Sequence, residues 1–189
     1  MASLNEIRKR IKTVESTSKI TNAMKLVASA KLKKQKELFL NQTAYYEKFY
    51  DIFSYVKSNV NSDFFSIKKN EKGKTLWLTF FSSMGLCGSF NVNIAKELKK
   101  FVKPNDDIWM IGKKGKSILK SKDINNPILL DLELDDKDIN YDLFHIIAEN
   151  LLEIYKSDSE IKAVKIIYTK FVNSLTFIPS VFSLLPFDN

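Results

Sequence analysis

The chain of 189 residues has one cysteine and one histidine. A single thiol excludes a disulfide framework and any cysteine-built zinc site, and one imidazole leaves little for other transition metals. Such sparing use of cysteine fits a reducing cytoplasm. Glycine and proline number only 5 and 4, and neither occurs before Gly73. Tight turns need those residues, so a compact many-element fold is excluded from everything before that point. No apolar run approaches the ~18 residues of a membrane helix. Met1-Ala2-Ser3 leads straight into charged sequence, which predicts no secretory leader.

What the chain does have is a core and a surplus of positive charge. With 44% apolar and 12% aromatic residues it is globular rather than disordered, large enough for one domain or two. The net charge of +8 is unevenly placed: residues 1–60 hold 12 basic and 5 acidic side chains, residues 61–189 hold 18 and 17. Lysines outnumber arginines 28 to 2, and Asn, Ile and Phe are plentiful. That bias matches a low-GC genome, so the place where charge concentrates says more than the lysine count.

Ser3 followed by Glu6 is a capping-box pattern, in which each side chain satisfies the other residue's backbone N–H. Leu4, Ile7, Ile11 and Val14 then follow three-four spacing, a narrow apolar seam. The seam weakens through Thr17, Ser18, Thr21 and Asn22, resumes at Met24 and Val27, and reappears as Tyr45, Phe49, Ile52 and Val56. The spacing predicts one helix over 4–60, roughly 80–85 Å long at 1.5 Å per residue. A domain of ~120 residues has a radius of gyration of only ~14 Å, so such a helix projects and needs a second helix against its seam.

After a polar linker (61–74) the pattern changes. β-rich runs at 75–81, 107–111, 127–132 and 163–169 alternate with helical segments near 91–102, 114–120 and 140–155. That alternation predicts an α/β domain with a mainly parallel sheet over 75–174. The apolar run 175–189, with Pro179 and Pro186, is expected as a tail along the domain edge.

Several stretches imitate chemistry. Gly115-Lys116-Ser117 follows a strand and opens a helix, as a phosphate-binding loop does, but the glycine required five residues earlier is Met110 and Gly112 comes too late. A tight strand-to-helix turn is the better reading, and no cofactor is expected. Gly85-Leu86-Cys87-Gly88-Ser89 lacks the second glycine of a nucleophile elbow, and His145 lies within a helix without an adjacent carboxylate, so Cys87 has no activator. Asp131, Glu133, Asp135, Asp136 and Asp138 form an acidic cluster that reads as a solvated turn rather than a cation site. Arg8, Lys9, Arg10 and Lys12, with Lys31, Lys33, Lys34 and Lys36, could neutralise phosphates. Yet the second group points in several directions and arginine is scarce. A positive shaft facing an acidic protein surface fits the same residues, so no nucleic acid is expected, and a basic-helix nucleic-acid binder stands as the alternative of another class.

Ser18-Lys19-Ile20-Thr21-Asn22-Ala23-Met24-Lys25-Leu26-Val27-Ala28 resembles the N-terminal helix signature of the gamma subunit of F-type ATP synthases. Three further stretches agree in order and spacing: Gly85-Leu86-Cys87-Gly88 with Asn91-Val92-Asn93; Met110-Ile111-Gly112-Lys113-Lys114-Gly115; and Lys170-Phe171-Val172-Asn173 running to Pro179 and Leu184-Leu185-Pro186. The resemblance implies a central rotor that does no bond chemistry: a long coiled-coil helix followed by a Rossmann-like domain. It would couple rotation to catalysis in a ring of alpha and beta subunits, beside an epsilon-type subunit and the membrane rotor ring, at the inner face of the cell membrane. Small polar residues would keep a turning shaft from gripping its bearing.

Carried over by position, Lys19, Ile20, Thr21, Ala23, Met24 and Val27 resemble the shaft surface that faces the beta levers. Arg8, Lys9 and Arg10 resemble the basic part of the shaft, and Gly85, Leu86, Cys87 and Gly88 a loop under the ring. Family members commonly carry Asp-Arg before that loop, where this chain has Ser83 and Met84. The family also continues past Leu-Leu-Pro into a long C-terminal helix. Two readings follow: a piece of a longer protein, or a diverged homologue that borrows its second shaft helix from another chain. The second is preferred if the sequence is complete, and it carries the alternative of an F-type-like ATPase driving motility or transport.

Overall fold

A computed structural model of the protein describes residues 3–59, 72–134, 139–173 and 175–186. The linker expected over 61–74 lies largely outside them, as do Asp135, Asp136 and Asp138 of the acidic cluster. The chain divides into two compact units, Met1–Asn61 and Ser62–Asn189.

The first unit is one helix, α1 (Leu4–Asn59), of 56 residues. Its start is half of the expected capping box. Ser3 N–H donates to the Glu6 carboxylate at 2.8 Å, whereas Glu6 N–H donates to the Ser3 backbone carbonyl at 2.9 Å rather than to its hydroxyl. No glycine or proline interrupts the helix, and both would cost it stability. Threonine hydroxyls fold back on it one turn at a time: Thr13 to Lys9 O, Thr17 to Thr13 O and Thr21 to Thr17 O, at 2.9–3.0 Å. Further along, aromatic rings pair at i, i+4 spacing: Tyr45 stacks with Phe49 and Phe49 with Phe53 at 6.4 Å, and Tyr46 meets Tyr50 tilted at 6.0 Å.

The second unit is a five-stranded sheet with helices on both faces. Its elements are β1 (Lys74–Phe80), α2 (Phe90–Phe101), β2 (Asp107–Ile111), α3 (Gly115–Ser121), β3 (Ile128–Leu132), α4 (Tyr141–Ser157), β4 (Ile161–Phe171) and β5 (Phe177–Leu185). Strand order is β3-β2-β1-β4-β5. The first four are parallel, and β5 runs antiparallel to β4. The run from Leu175, expected as a tail, therefore supplies an edge strand. Pro179 is tolerated there because an edge strand has one side of its ladder free.

Central strands covered on both faces lose the apolar-polar alternation: all of Asp107–Ile111 is buried, as is the middle of β1. One face packs Leu76, Leu78, Trp109, Ile111 and Val164 against Ile147, Leu151 and Tyr155 of α4. The other packs Trp77, Ile108, Met110 and Ile167 against Ile94, Ala95 and Leu98 of α2 and Leu119 of α3. At the N-terminal edge of the sheet Asp106 is 2% exposed. It accepts hydrogen bonds from Thr75 N, Lys103 N and Trp77 Nε1 at 2.8, 2.9 and 3.0 Å. Beside it Lys74 pairs with Asp107 at 2.8 Å, with Asp158 and Glu160 further out. α4 begins on Asn140, whose side chain accepts from Leu143 N at 2.9 Å and caps the helix.

Candidate partner interface

Two separate surfaces carry the residues singled out from the sequence, one on each unit. On α1, Ile20, Ala23, Met24 and Val27 fall at i, i+3, i+4 and i+7 and so share one face. That face is bare: Ile20, Met24 and Val27 are 62%, 50% and 59% exposed. Thr21 lies beside it with its hydroxyl already bonded to Thr17 O, and Lys19 is exposed alongside. Leu4, Ile7, Ile11 and Val14 are exposed too, so among the described residues nothing covers the seam. Arg8, Lys9 and Arg10 are exposed and consecutive, so they spread around the helix as a collar and are not brought onto one side. The aromatic band of 45–55 was legible only in part: Tyr46 and Tyr50 lie off the three-four seam by which the helix is recognised.

On the second unit the loop between β1 and α2 is pinned from inside by Asn91, buried at 4% exposure. Its Oδ1 accepts from Ser82 N at 2.9 Å, and its Nδ2 donates to Ser82 Oγ at 2.8 Å and Cys87 Sγ at 3.2 Å. Ser82 Oγ in turn donates to Met84 O at 2.8 Å. The Cys87 thiol is thus a structural acceptor in a neutral cluster. Leu86 adopts φ +60° and Gly88 φ +57°. A Cβ at Gly88 would meet nothing within 4 Å, so glycine serves there for backbone conformation, not for space. Leu86 has no such freedom, yet stands 92% exposed in a conformation that branched side chains avoid. Gly85 has neither constraint. Ser83, in the place of the family's acidic residue, donates its hydroxyl to Leu134 O, while Met84 is exposed.

The loop sits at the C-terminal ends of β1 and β4, where the strand order reverses and open α/β sheets leave a crevice. A cavity of about 400 Å³ occurs there, between Cys87, Phe90 and Asn93 on one side and Thr169, Phe177 and Pro179 on the other. Thr169 Oγ1 is buried in its wall without a hydrogen-bond partner.

The remaining sequence candidates resolve into packing. A Cβ at Gly112, φ +110°, would lie 2.1 Å from Phe81 O, and one at Gly115 would lie 2.3 Å from Met110 Sδ. Three amides of this turn are spent on the backbone: Gly112 N donates to Leu132 O, Lys114 N to Ser82 O and Gly115 N to Gly112 O. Lys116 faces Asp131 at 3.8 Å on the surface. His145 corrects the expectation that no carboxylate adjoins it. Its Nε2 lies 3.3 Å from Glu149, one turn along α4, and its ring stacks on Tyr141 at 5.8 Å. The i, i+4 spacing of His145 and Glu149 was the available signal. Among the described residues no group of three or more His, Cys, Asp or Glu side chains could hold a metal, and no helix is long and apolar enough to cross a membrane.

Comparison with known proteins agrees with this architecture. A family described as ATP synthase matches residues 3–189. The ATP synthase gamma chain of Malacoplasma penetrans is 73% identical over 188 residues, covering 100% of this chain and 66% of that one. The gamma chain of Ureaplasma urealyticum is 40% identical over 186 residues, 98% of this chain and 65% of the relative. The chain thus spans just under two thirds of the length of these relatives. Among solved structures, the central stalk and c-ring of the Tetrahymena thermophila mitochondrial ATP synthase contains a chain similar at TM-score 0.62 and 26% identity, over 88% of this chain and 72% of that one. The rotor of the Euglena gracilis enzyme shares the fold at TM-score 0.64 and 18% identity, over 94% and 60% of the two chains. The chain belongs to the ATP synthase family, alongside the gamma chains it resembles.

Proposed function

We propose that the chain acts as the gamma-type central-stalk subunit of a rotary ATP synthase or ATPase, coupling rotation to catalysis performed elsewhere in the complex. The observation that carries this reading is the alignment of its whole length, at 73% identity, with 66% of a gamma chain. The uncovered seam on α1 supports it, because 56 helical residues with an exposed apolar stripe require a partner helix. In this reading a second shaft helix covers Leu4, Ile7, Ile11 and Val14. The face of Ile20, Ala23, Met24 and Val27 meets the beta subunits, with Lys19 and Thr21 beside it and the collar of Arg8, Lys9 and Arg10 nearer the helix start. The loop of Gly85, Leu86, Cys87 and Gly88 meets the underside of the ring, and an epsilon-type subunit and the membrane rotor ring lie below. The complex would sit peripherally on the cytoplasmic face of the cell membrane.

The mechanism is mechanical. Closing of a beta subunit favours one angle of an asymmetric shaft, and by reciprocity each shaft angle favours one open site. The groups that do this need shape more than chemistry, which fits a face of Ile, Ala, Met and Val. The test is to isolate the complex from its source at moderate salt and weigh it intact. One copy of this chain per ring of alpha and beta subunits is expected. Recovery alone, or with nucleic acid, would sink the proposal.

A further inference from the structure

The near-balance of charge in residues 61–189 conceals two opposite faces. Lys96, Lys99 and Lys100 form an i, i+3, i+4 stripe on α2, away from the buried Ile94, Ala95 and Leu98, and Lys103 continues it just past the helix end. Lys120 and Lys122 follow at the end of the neighbouring α3. The two ends meet, since Lys99 Nζ donates to Lys122 O at 2.6 Å. Nearby carboxylates are few and committed: Asp106 and Asp107 are buried, Glu97 pairs with Lys100, and Asp123 lies 3.5 Å from Lys99. Across the sheet, α4 exposes Asp142, Glu149 and Glu153. A genome-wide lysine bias loads both faces alike, so it does not explain the segregation. Offsetting the helix dipoles accounts for lysines in the last turns, but not for Lys96 or Lys103.

We propose that the α2/α3 face is an electrostatic seat for an anionic lipid bilayer. This goes beyond assembly with the stalk's subunits and does not depend on it. A protein interface of standard kind is built on buried aromatic and arginine anchors and is depleted in lysine. Arginine is scarce in the whole chain and so decides nothing here, but Phe101 is the one large exposed apolar side chain on these two helices, too little for such a core. Single-strand readers stack bases on aromatic platforms, and this face presents none. Lysines are hydrated point charges on flexible stems. They need no fixed geometry and gain from a dense sheet of phosphates within a Debye length. Phe101, half-exposed among them, suits the boundary between headgroup and acyl chain.

The full chain would be sedimented with vesicles of phosphatidylcholine and phosphatidylglycerol, and with phosphatidylcholine alone, at about 0.1 M salt. Binding to the anionic vesicles only is expected. K96E/K103E/K120E, which alters exposed side chains without ion partners among the described residues, lowers the partition by about tenfold or more. The same charge change on the basic helix, K33E/K34E/K36E, lowers it by less than about threefold. The neutral K96Q/K103Q/K120Q gives an intermediate loss with unchanged circular dichroism, which separates lost charge from lost fold. Equal loss in both reversed triples, or no binding at all, overturns the proposal. So does tighter binding to duplex DNA or polyglutamate than to vesicles, lost with the same three lysines.

Discussion

Gly112 and Lys116 lie four positions apart in the segment that imitates a nucleotide site, and they differ entirely in what depends on them. Alanine at Gly112 places a Cβ 2.1 Å from backbone oxygen at a φ of +110°, so neither the space nor the conformation is available. Gly112→Ala is expected to cost about 2–4 kcal/mol in urea denaturation. Lys116→Ala, on an exposed side chain, changes stability by less than about 0.5 kcal/mol. Leu86 presents the reverse case, a strained residue with no internal contact to justify it. Asn tolerates the left-handed region better, so Leu86→Asn should raise stability by roughly 0.5 kcal/mol. If this leucine meets the ring, the same substitution weakens reconstitution with alpha and beta subunits. Unchanged reconstitution would return Leu86 to an ordinary turn.

Among the elements, α1 is the one in which helix propensity and packing can be separated. Thr13, Thr17 and Thr21 return their hydroxyls to the carbonyl one turn back, a habit that slightly destabilises helices. Replacing Thr17 and Thr21 by alanine should raise helicity, by up to about 0.5 kcal/mol per site, seen as a higher melting temperature of the far-ultraviolet signal. A fall would mean that the hydroxyls support the helix.

The helix was legible because a three-four seam with no glycine or proline admits no other structure. The parallel core was legible from short continuous apolar runs such as 108–111 alternating with helical segments, the pattern of strands buried on both faces. β5 was not, because Pro179 and Pro186 speak against a central strand, and nothing local reveals that β4 offers an open edge. The loop residues carried no local signal of their own. Its lock, Asn91, is set by contacts to Ser82 and Cys87 across a turn whose positive-φ leucine no propensity rule anticipates.

For the molecule as a whole, alkaline pH tests the edge at which β1 enters the sheet. The hydrogen bond to Asp107 raises the pKa of Lys74 against the opposing effect of burial, and Asp158 and Glu160 add to the rise. Burial raises that of Tyr155. In both cases the folded state holds the proton more tightly than the unfolded chain. Their stabilisation is therefore complete below the unfolded pKa and is lost as pH climbs through the folded one. Unfolding free energy is expected to fall above about pH 10, and Lys74→Met should flatten part of that fall while leaving the share of Tyr155. A profile identical to that of the parent would remove Lys74 from the account. The strand order also sets the order of events at synthesis. β1 lies at the centre of the sheet, yet one of its two neighbours is β4, paired from Lys74 with Ile161. Closing so long a loop costs about 4 kcal/mol in chain entropy before any contact repays it. A nascent chain that has finished β2 therefore leaves the ribosome with Leu76, Trp77 and Leu78 on a strand with one open edge. It stays sticky until β4 begins to emerge some fifty residues later, so a pause in translation between α3 and β4 exposes this domain to aggregation more than a pause anywhere else.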